Sequence, residues 1–154
     1  MPVTVERSRV VAATPEEAFA AALNIPLPRL LHRRYGPFPP IKDVTGQTCW
    51  QKAGDSRTIV PAGGGSMRET LTTVEGPHSF GYAVTDITGP MALLVGHVEG
   101  TWLFTPGGPG TQVTWRWVLH PTSALTAPAV RVLGRLWNGY ARQALESLSD
   151  YLGR

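Results

Sequence analysis

From Thr126 to Leu152 the chain repeats apolar residues every three or four positions, as the buried face of one long helix requires: Val130, Leu133, Trp137, Ala141, Ala144, Leu148 and Leu152. The opposite face carries Arg131, Arg135, Asn138, Arg142 and Glu146. From Gln47 to Leu119 the pattern changes to short alternating strands. A strand meander closed by a single helix is an α+β architecture, and the space between its two layers is where a small-molecule site would lie.

Turn residues divide the strand region at regular intervals: Gly54-Asp55, Gly63-Gly64-Gly65, Gly76-Pro77, Gly89-Pro90 and Gly107-Gly108-Pro109-Gly110. This spacing predicts an antiparallel meander with strands over Thr45 to Lys52, Arg57 to Pro61, Ser66 to Val74, Phe80 to Ile87, Ala92 to Phe104 and Thr111 to Leu119. Ahead of it, Val3 to Ala12 reads as a first strand. A short helix through Leu23 follows, with Thr14 as N-cap, Pro15 as its first residue and Glu17 as capping-box partner. A second helical piece spans Leu27 to Arg34. It stops at Gly36-Pro37-Phe38-Pro39-Pro40, where proline removes amide donors and makes a stiff connector, with Tyr35 to Pro40 a candidate border for an entrance.

Pairing the last hairpin with Phe104 opposite Thr111 sets Trp102 against Val113, Gly100 against Trp115 and Val98 against Trp117. One face is then wholly apolar, and Thr101–Thr114 and Glu99–Arg116 sit on the other. Trp102, Trp115 and Trp117 are expected to point toward the C-terminal helix. In the preceding hairpin, Thr73 opposite Phe80, Leu71 opposite Tyr82 and Glu69 opposite Val84 turns Glu69 inward with Leu71, Phe80 and Tyr82. A buried carboxylate needs a donor or a proton, so Glu69 requires either a partner such as Arg or a tyrosine hydroxyl, or a ligand. Gly134 and Gly139 in the long helix, each costing about 1 kcal/mol relative to Ala, predict close helix–sheet contacts on either side of Trp137, the alternative being a compliant stretch that lets the helix shift to admit a ligand.

With 154 residues and 42% hydrophobic content, the chain is long enough for one self-sufficient domain over residues 1–154. The net charge of +3 comes from 12 Arg and 2 Lys against 11 acids, and the one local cluster is Arg29, His32, Arg33 and Arg34. No nucleic-acid partner is expected, because the arginines form no stripe interleaved with aromatics. The single cysteine, Cys49, reads as a small apolar strand residue; with no disulfide to form, and no signal peptide or bilayer-length apolar run, a cytoplasmic protein without integral membrane association is expected.

Recognised chemistry is sparse. His32, His78, His97 and His120 lack metal-ligand spacing, and His97 and His120 fall on the solvent side of their strands, so no metal is expected. Ser66, Ser79 and Ser123 have no nucleophile-elbow context, and the glycine triplet at Gly63 lacks the Lys-Ser/Thr of a phosphate loop. No cofactor is implied, and no constellation decides whether the protein is an enzyme.

The order of elements resembles the START-like, or Bet v 1-like (SRPBCC), superfamily, and within it the bacterial polyketide cyclase/dehydrase and lipid-transport branch. The likeness covers essentially the whole chain. "VERSRVVAATPEEAF" resembles its opening strand and capped helix, "GSMRETLTTVEGPHSFGYAV" its central hairpin and "EGTWLFTPGGPGTQVTW" its last hairpin. The resemblance implies a helix-grip fold: a curved antiparallel sheet of about seven strands, two short helices after the first strand, and the long C-terminal helix lying across a hydrophobic cavity. It specifies fold better than function, because its members include carriers, cyclases, hydrolases and regulators.

On this reading the cavity wall comprises Leu71, Tyr82, Trp102, Trp115, Trp117, Val130, Leu133 and Trp137, with Glu69 and Tyr140 as polar points; the competing account is a filled aromatic core. Three roles follow. The first is a carrier or sensor of a small hydrophobic, lipid-like or aromatic molecule. The second is an aromatase/cyclase-like enzyme in which Glu69, Tyr82 or Tyr140 moves a proton. The third is a protein-interaction module using the Arg29 to Arg34 surface. Oligomeric state and ligand identity have no signal in the sequence.

Overall fold

The computed structural model describes residues 2–46 and 49–153. Strand β1 (Val3–Val11) leads into α1 (Pro15–Asn24) and the single turn α2 (Leu27–Leu30). There follow β2 (Ile41–Thr45), β3 (Ser56–Pro61), β4 (Met67–Glu75), β5 (Ser79–Thr85), a 3-10 turn (Pro90–Leu93), β6 (Val95–Gly107), β7 (Gly110–Pro121) and α3 (Ala127–Tyr151). All strands join one antiparallel sheet in the order β1-β7-β6-β5-β4-β3-β2, so β1 and β2 are its edges. This is the helix-grip architecture the sequence implies.

Helix α1 begins where the capping box requires. The Thr14 hydroxyl accepts from the Glu17 amide at 3.1 Å, and the Glu17 carboxylate accepts from the Thr14 amide at 2.9 Å. The second helical piece is shorter than expected. It ends at Leu30 and not at Arg34, and Tyr35 and Phe38 pair with each other in a tight bridge. The Ala92 to Phe104 strand starts only at Val95, because Pro90–Leu93 coils into the 3-10 turn. Of the expected strand over Thr45 to Lys52, Thr45 closes β2, which lies earlier, and Trp50 to Lys52 belong to a loop that runs to Gly54. Gln47 and Thr48 of that expected strand lie outside the described residues. Cys49 is exposed in this loop, not an apolar strand residue.

The β6–β7 hairpin turns on two residues, Gly108 and Pro109, with Gly107 opposite Gly110. Gly108 takes φ +56° there, which a side chain would resist. The tight turn shifts the expected pairing by two residues: Phe104 faces Val113, Trp102 faces Trp115, Gly100 faces Trp117 and Thr101 faces Arg116. A shift of two preserves which side chains point inward, so the apolar face survives though its partners change. In β4–β5, Leu71–Tyr82 and Glu69–Val84 pair as expected, but a bulge after Leu71 sets Thr73 opposite Gly81 and not Phe80.

Helix α3 packs mainly over the β1–β7 side of the sheet. Gly134 gives the predicted close contact, since a Cβ there would stand 3.0 Å from the Val5 side chain and 3.2 Å from that of Val3. Gly139 meets something else: the ring of Tyr35 in the connector lies across it. Trp137 is fully buried, with ring centroids 5.0 Å from Trp115 and 5.5 Å from Trp117. These indoles fill the volume directly beneath α3.

Candidate functional site

The largely apolar chamber lies beside this aromatic stack, bounded by β2–β6, α2, the Phe38-Pro39 connector and the Trp50 loop. Its volume is about 70 Å³. A water needs about 10–15 Å³ on this scale, so the chamber admits a group of about five waters, the bulk of one aromatic ring. Pockets for drug-sized ligands run to roughly 300–1,000 Å³, so nothing of that size enters without the walls moving.

Of the residues expected to line a cavity, Glu69, Tyr82, Trp102, Trp115, Trp117 and Tyr140 border this chamber. Leu71, Val130, Leu133 and Trp137 do not. They are buried, but in the packed layers next to it, because α3 covers the sheet's β1–β7 side and contributes only Tyr140 to the chamber wall. Sequence reasoning missed Arg57 and Trp50, along with Phe38, Met67 and Met91. Arg57 was open to detection, since the β3–β4 pairing that sets Ile59 opposite Met67 sets Arg57 opposite Glu69.

That cross-strand pair is the polar centre of the wall. Arg57 donates through Nε and Nη2 to Glu69 Oε1, each at 2.7 Å, and both side chains are buried. The Trp50 ring covers the guanidinium, 3.8 Å from carbon to centroid, a cation–π contact strengthened by exclusion of water. Burial pushes the Glu69 carboxyl up from its ordinary value, and the neighbouring guanidinium opposes that rise. Trp50 is held by its loop: Asp55 accepts from the amides of Gln51 (2.9 Å) and Lys52 (3.1 Å), bonds that hold the Asp55 carboxyl below its ordinary value.

Tyr82 lies flat over Gly100, where any side chain would overlap its ring. Its hydroxyl oxygen accepts from two indoles, Trp115 Nε1 at 2.9 Å and Trp117 Nε1 at 3.0 Å. Burial and the nearby Glu69 carboxylate push the phenol well above its ordinary value, so it keeps its proton. Tyr140 is differently employed. Its hydroxyl donates to Pro39 O at 2.9 Å and its ring stacks on Phe38 at 5.1 Å, which binds the connector to α3. That hydroxyl is committed to structure.

Two outer clefts share walls with the chamber. One, of about 330 Å³, is lined by Leu23–Pro28, Asp43 and Val44 and meets the chamber at Leu27, Trp50 and Arg57. The other, of about 140 Å³, runs along Arg34, Pro37 and Gly63-Gly64 and meets it at Pro39, Pro61, Met67 and Met91. The connector therefore stands between chamber and surface on this second side. The cluster at Arg29 to Arg34 is partly tied down: Arg29 lies over the Tyr151 ring at 4.6 Å and Arg33 pairs with Glu146 at 3.2 Å. His97 and His120 stack on the outer face, with centroids 3.9 Å apart. Among the described residues no group of three or more His, Cys, Asp or Glu could hold a metal ion, and no helix is long and apolar enough to cross a membrane.

Solved structures share this architecture. TTHA0849 from Thermus thermophilus superposes with a TM-score of 0.72 at 17% identity, covering 97% of both chains. Ara h 8.0201 gives 0.70 at 12% identity, covering 99% of this chain and 98% of that one. The di-domain ARO/CYC BexL from the BE-7585A biosynthetic pathway gives 0.73 at 13% identity, with this chain matching 50% of its length. At these identities the likeness is one of fold. No curated protein sequence matches. A family model described as polyketide cyclase / dehydrase and lipid transport matches residues 2–153, and the chain belongs to that family.

Proposed function

We propose that the protein binds one small hydrophobic molecule in the chamber, as a carrier or sensor. The observation that carries this reading is an apolar chamber with a buried ion pair and a buried phenol on its wall. Packing alone is served as well by apolar residues of similar volume, because a buried ion pair rarely adds net stability over them. Burying an apolar guest contributes about 25 cal/mol per Å² removed from water, while Glu69, Arg57 and Tyr82 fix its orientation. The small volume of the chamber favours a single ring over a long acyl chain, which needs the connector or the Trp50 loop to move aside.

Native mass spectrometry of protein purified from its own host tests this, together with thermal shifts across ring-sized aromatics and lipids. The expected outcome is a bound species or a raised Tm with the small aromatics. A wholly empty protein, unresponsive to every compound, overturns the reading.

A second reading is an aromatase/cyclase-like enzyme using the same chamber. It is supported by the family and by the fold shared with an ARO/CYC protein, and in it Tyr82 would serve as the proton donor and Glu69 as the proton acceptor for an enolate. Changed product profiles after Glu69→Gln or Tyr82→Phe support it, and unchanged profiles remove it.

A further inference from the structure

We infer that Tyr82 acts on the guest solely as a hydrogen-bond donor, and that the chamber therefore selects a neutral, ring-sized molecule bearing a carbonyl-type oxygen. The inference rests on the ligand-binding reading above and deepens it.

A phenol oxygen has one proton to give and two lone pairs, whereas an indole N–H gives and cannot accept. With Trp115 and Trp117 both donating to the Tyr82 oxygen, its accepting capacity is used up. Its own proton must point away from both indole nitrogens. Among the described residues it makes no hydrogen bond as a donor, and Tyr82 is 5% exposed and forms part of the chamber wall. A buried donor without an acceptor is unfavourable, and a guest oxygen in the chamber satisfies it. Burial and Glu69 both keep the phenol protonated, so the donor persists across the neutral pH range.

The rest of the wall narrows the choice. Arg57 gives Nε and Nη2 to Glu69, whose carboxylate already balances its charge, so a second carboxylate in the chamber would leave a net buried negative charge. The Glu69 carboxylate disfavours an anionic guest. A neutral ketone or aldehyde on a single ring meets all three conditions: size, charge and acceptor.

The test uses an isosteric pair, acetophenone and α-methylstyrene, which differ as C=O and C=CH2, with benzoate as the anion. Binding to the full-length protein is followed by calorimetry and tryptophan fluorescence. Acetophenone is expected to bind about 10-fold more tightly than α-methylstyrene, the worth of about one neutral hydrogen bond, and benzoate not detectably. Tyr82→Phe, paired with Trp117→Phe to limit the indole donors it strands, is expected to narrow the gap between ketone and alkene. In the infrared, the carbonyl band of ¹³C-labelled acetophenone falls in wavenumber on binding and recovers in the variant.

Should Tyr82→Phe fail to fold, global replacement of tyrosine by 3-fluorotyrosine, a stronger donor of nearly the same shape, is expected to raise the ketone preference and deepen the infrared shift. Equal binding of ketone and alkene, or a preference that is unchanged in Tyr82→Phe with Trp117→Phe or ignores fluorination, overturns this inference and leaves the ligand-binding reading standing. Binding of neither probe overturns this inference, and only a protein that is also empty and unresponsive to the whole aromatic and lipid series overturns the ligand-binding reading with it.

Discussion

Arg57 and Glu69 stand directly opposite each other on β3 and β4, and each makes the burial of the other tolerable. Removing one partner strands a charge, so Arg57→Met is expected to cost about 3–5 kcal/mol in urea unfolding, whereas Arg57→Met with Glu69→Leu returns to near wild type. The single variant has a pH signature. With the guanidinium gone, burial acts unopposed and raises the Glu69 carboxyl further above its ordinary 4.5. A raised folded-state value means the folded protein holds the proton more tightly, so the group supports folding below about pH 4.5 and this support is lost as pH rises through the folded value. The variant should approach wild type in acid and fall away toward neutrality. Asp55 behaves in the opposite sense. Amide bonds depress its carboxyl below 3.8, so its contribution is present above that value and lost as pH falls. Melting curves of Asp55→Asn should lie below wild type at neutral pH and converge with it as pH drops below about 4.

At the level of elements, the two glycines of α3 have different duties and predict different outcomes. A methyl on Gly134 pushes against Val3 and Val5 of β1, whose branched side chains have little rotamer freedom. Gly134→Ala is expected to destabilise by about 1 kcal/mol net, overpacking outweighing the gain in helix propensity, and Val5→Ala in the same chain should recover the loss. A methyl on Gly139 meets the far end of the half-buried Tyr35 ring, which must be displaced to admit it. Gly139→Ala should therefore lower stability by about 1–3 kcal/mol and make the Tyr35–Pro40 segment more susceptible to limited proteolysis. These elements were legible to different depths. The long helix, the capping box and the inward faces of β6 and β7 follow from periodicity and local chemistry, which need no knowledge of distance. Pairing partners depend on turn length, which a Gly-Gly-Pro-Gly run leaves open, and the expected β6–β7 register was out by two. Arg57 escaped notice because only the later hairpins were paired; carrying the same reasoning back one turn would have set it against Glu69.

Across the whole molecule, helix position separates the packed from the hollow. Because α3 lies over β1 and β7, the indoles of Trp115, Trp117 and Trp137 stack into a solid layer there, and the chamber is left to the other side, under α2 and the connector. No sequence pattern states where a helix lies along a sheet, which is why Val130, Leu133 and Trp137 were expected on the wall and are found in the layer beside it. The same asymmetry predicts how the protein opens. On the packed side, β1, β7 and β6 are long strands, β1 and β7 paired without a break beneath a 25-residue helix and β6 paired with β7 in register from His97 onward. On the hollow side, β2 is a five-residue edge strand interrupted by a bulge between Ile41 and Asp43, and it borders the proline-rich connector. Local opening draws on the least packed regions first, so native-state hydrogen exchange should find the β2 and Trp50-loop amides opening well below the global unfolding free energy, and the β6, β7 and α3 amides only with it. A ring-sized guest seated against Tyr82 and Arg57 should slow exchange in β2 and around Trp50 more than in β7. Uniform protection of the sheet, or slowest exchange in β2, would mean that the chamber side is as rigid as the packed side and that admission of larger guests needs another route.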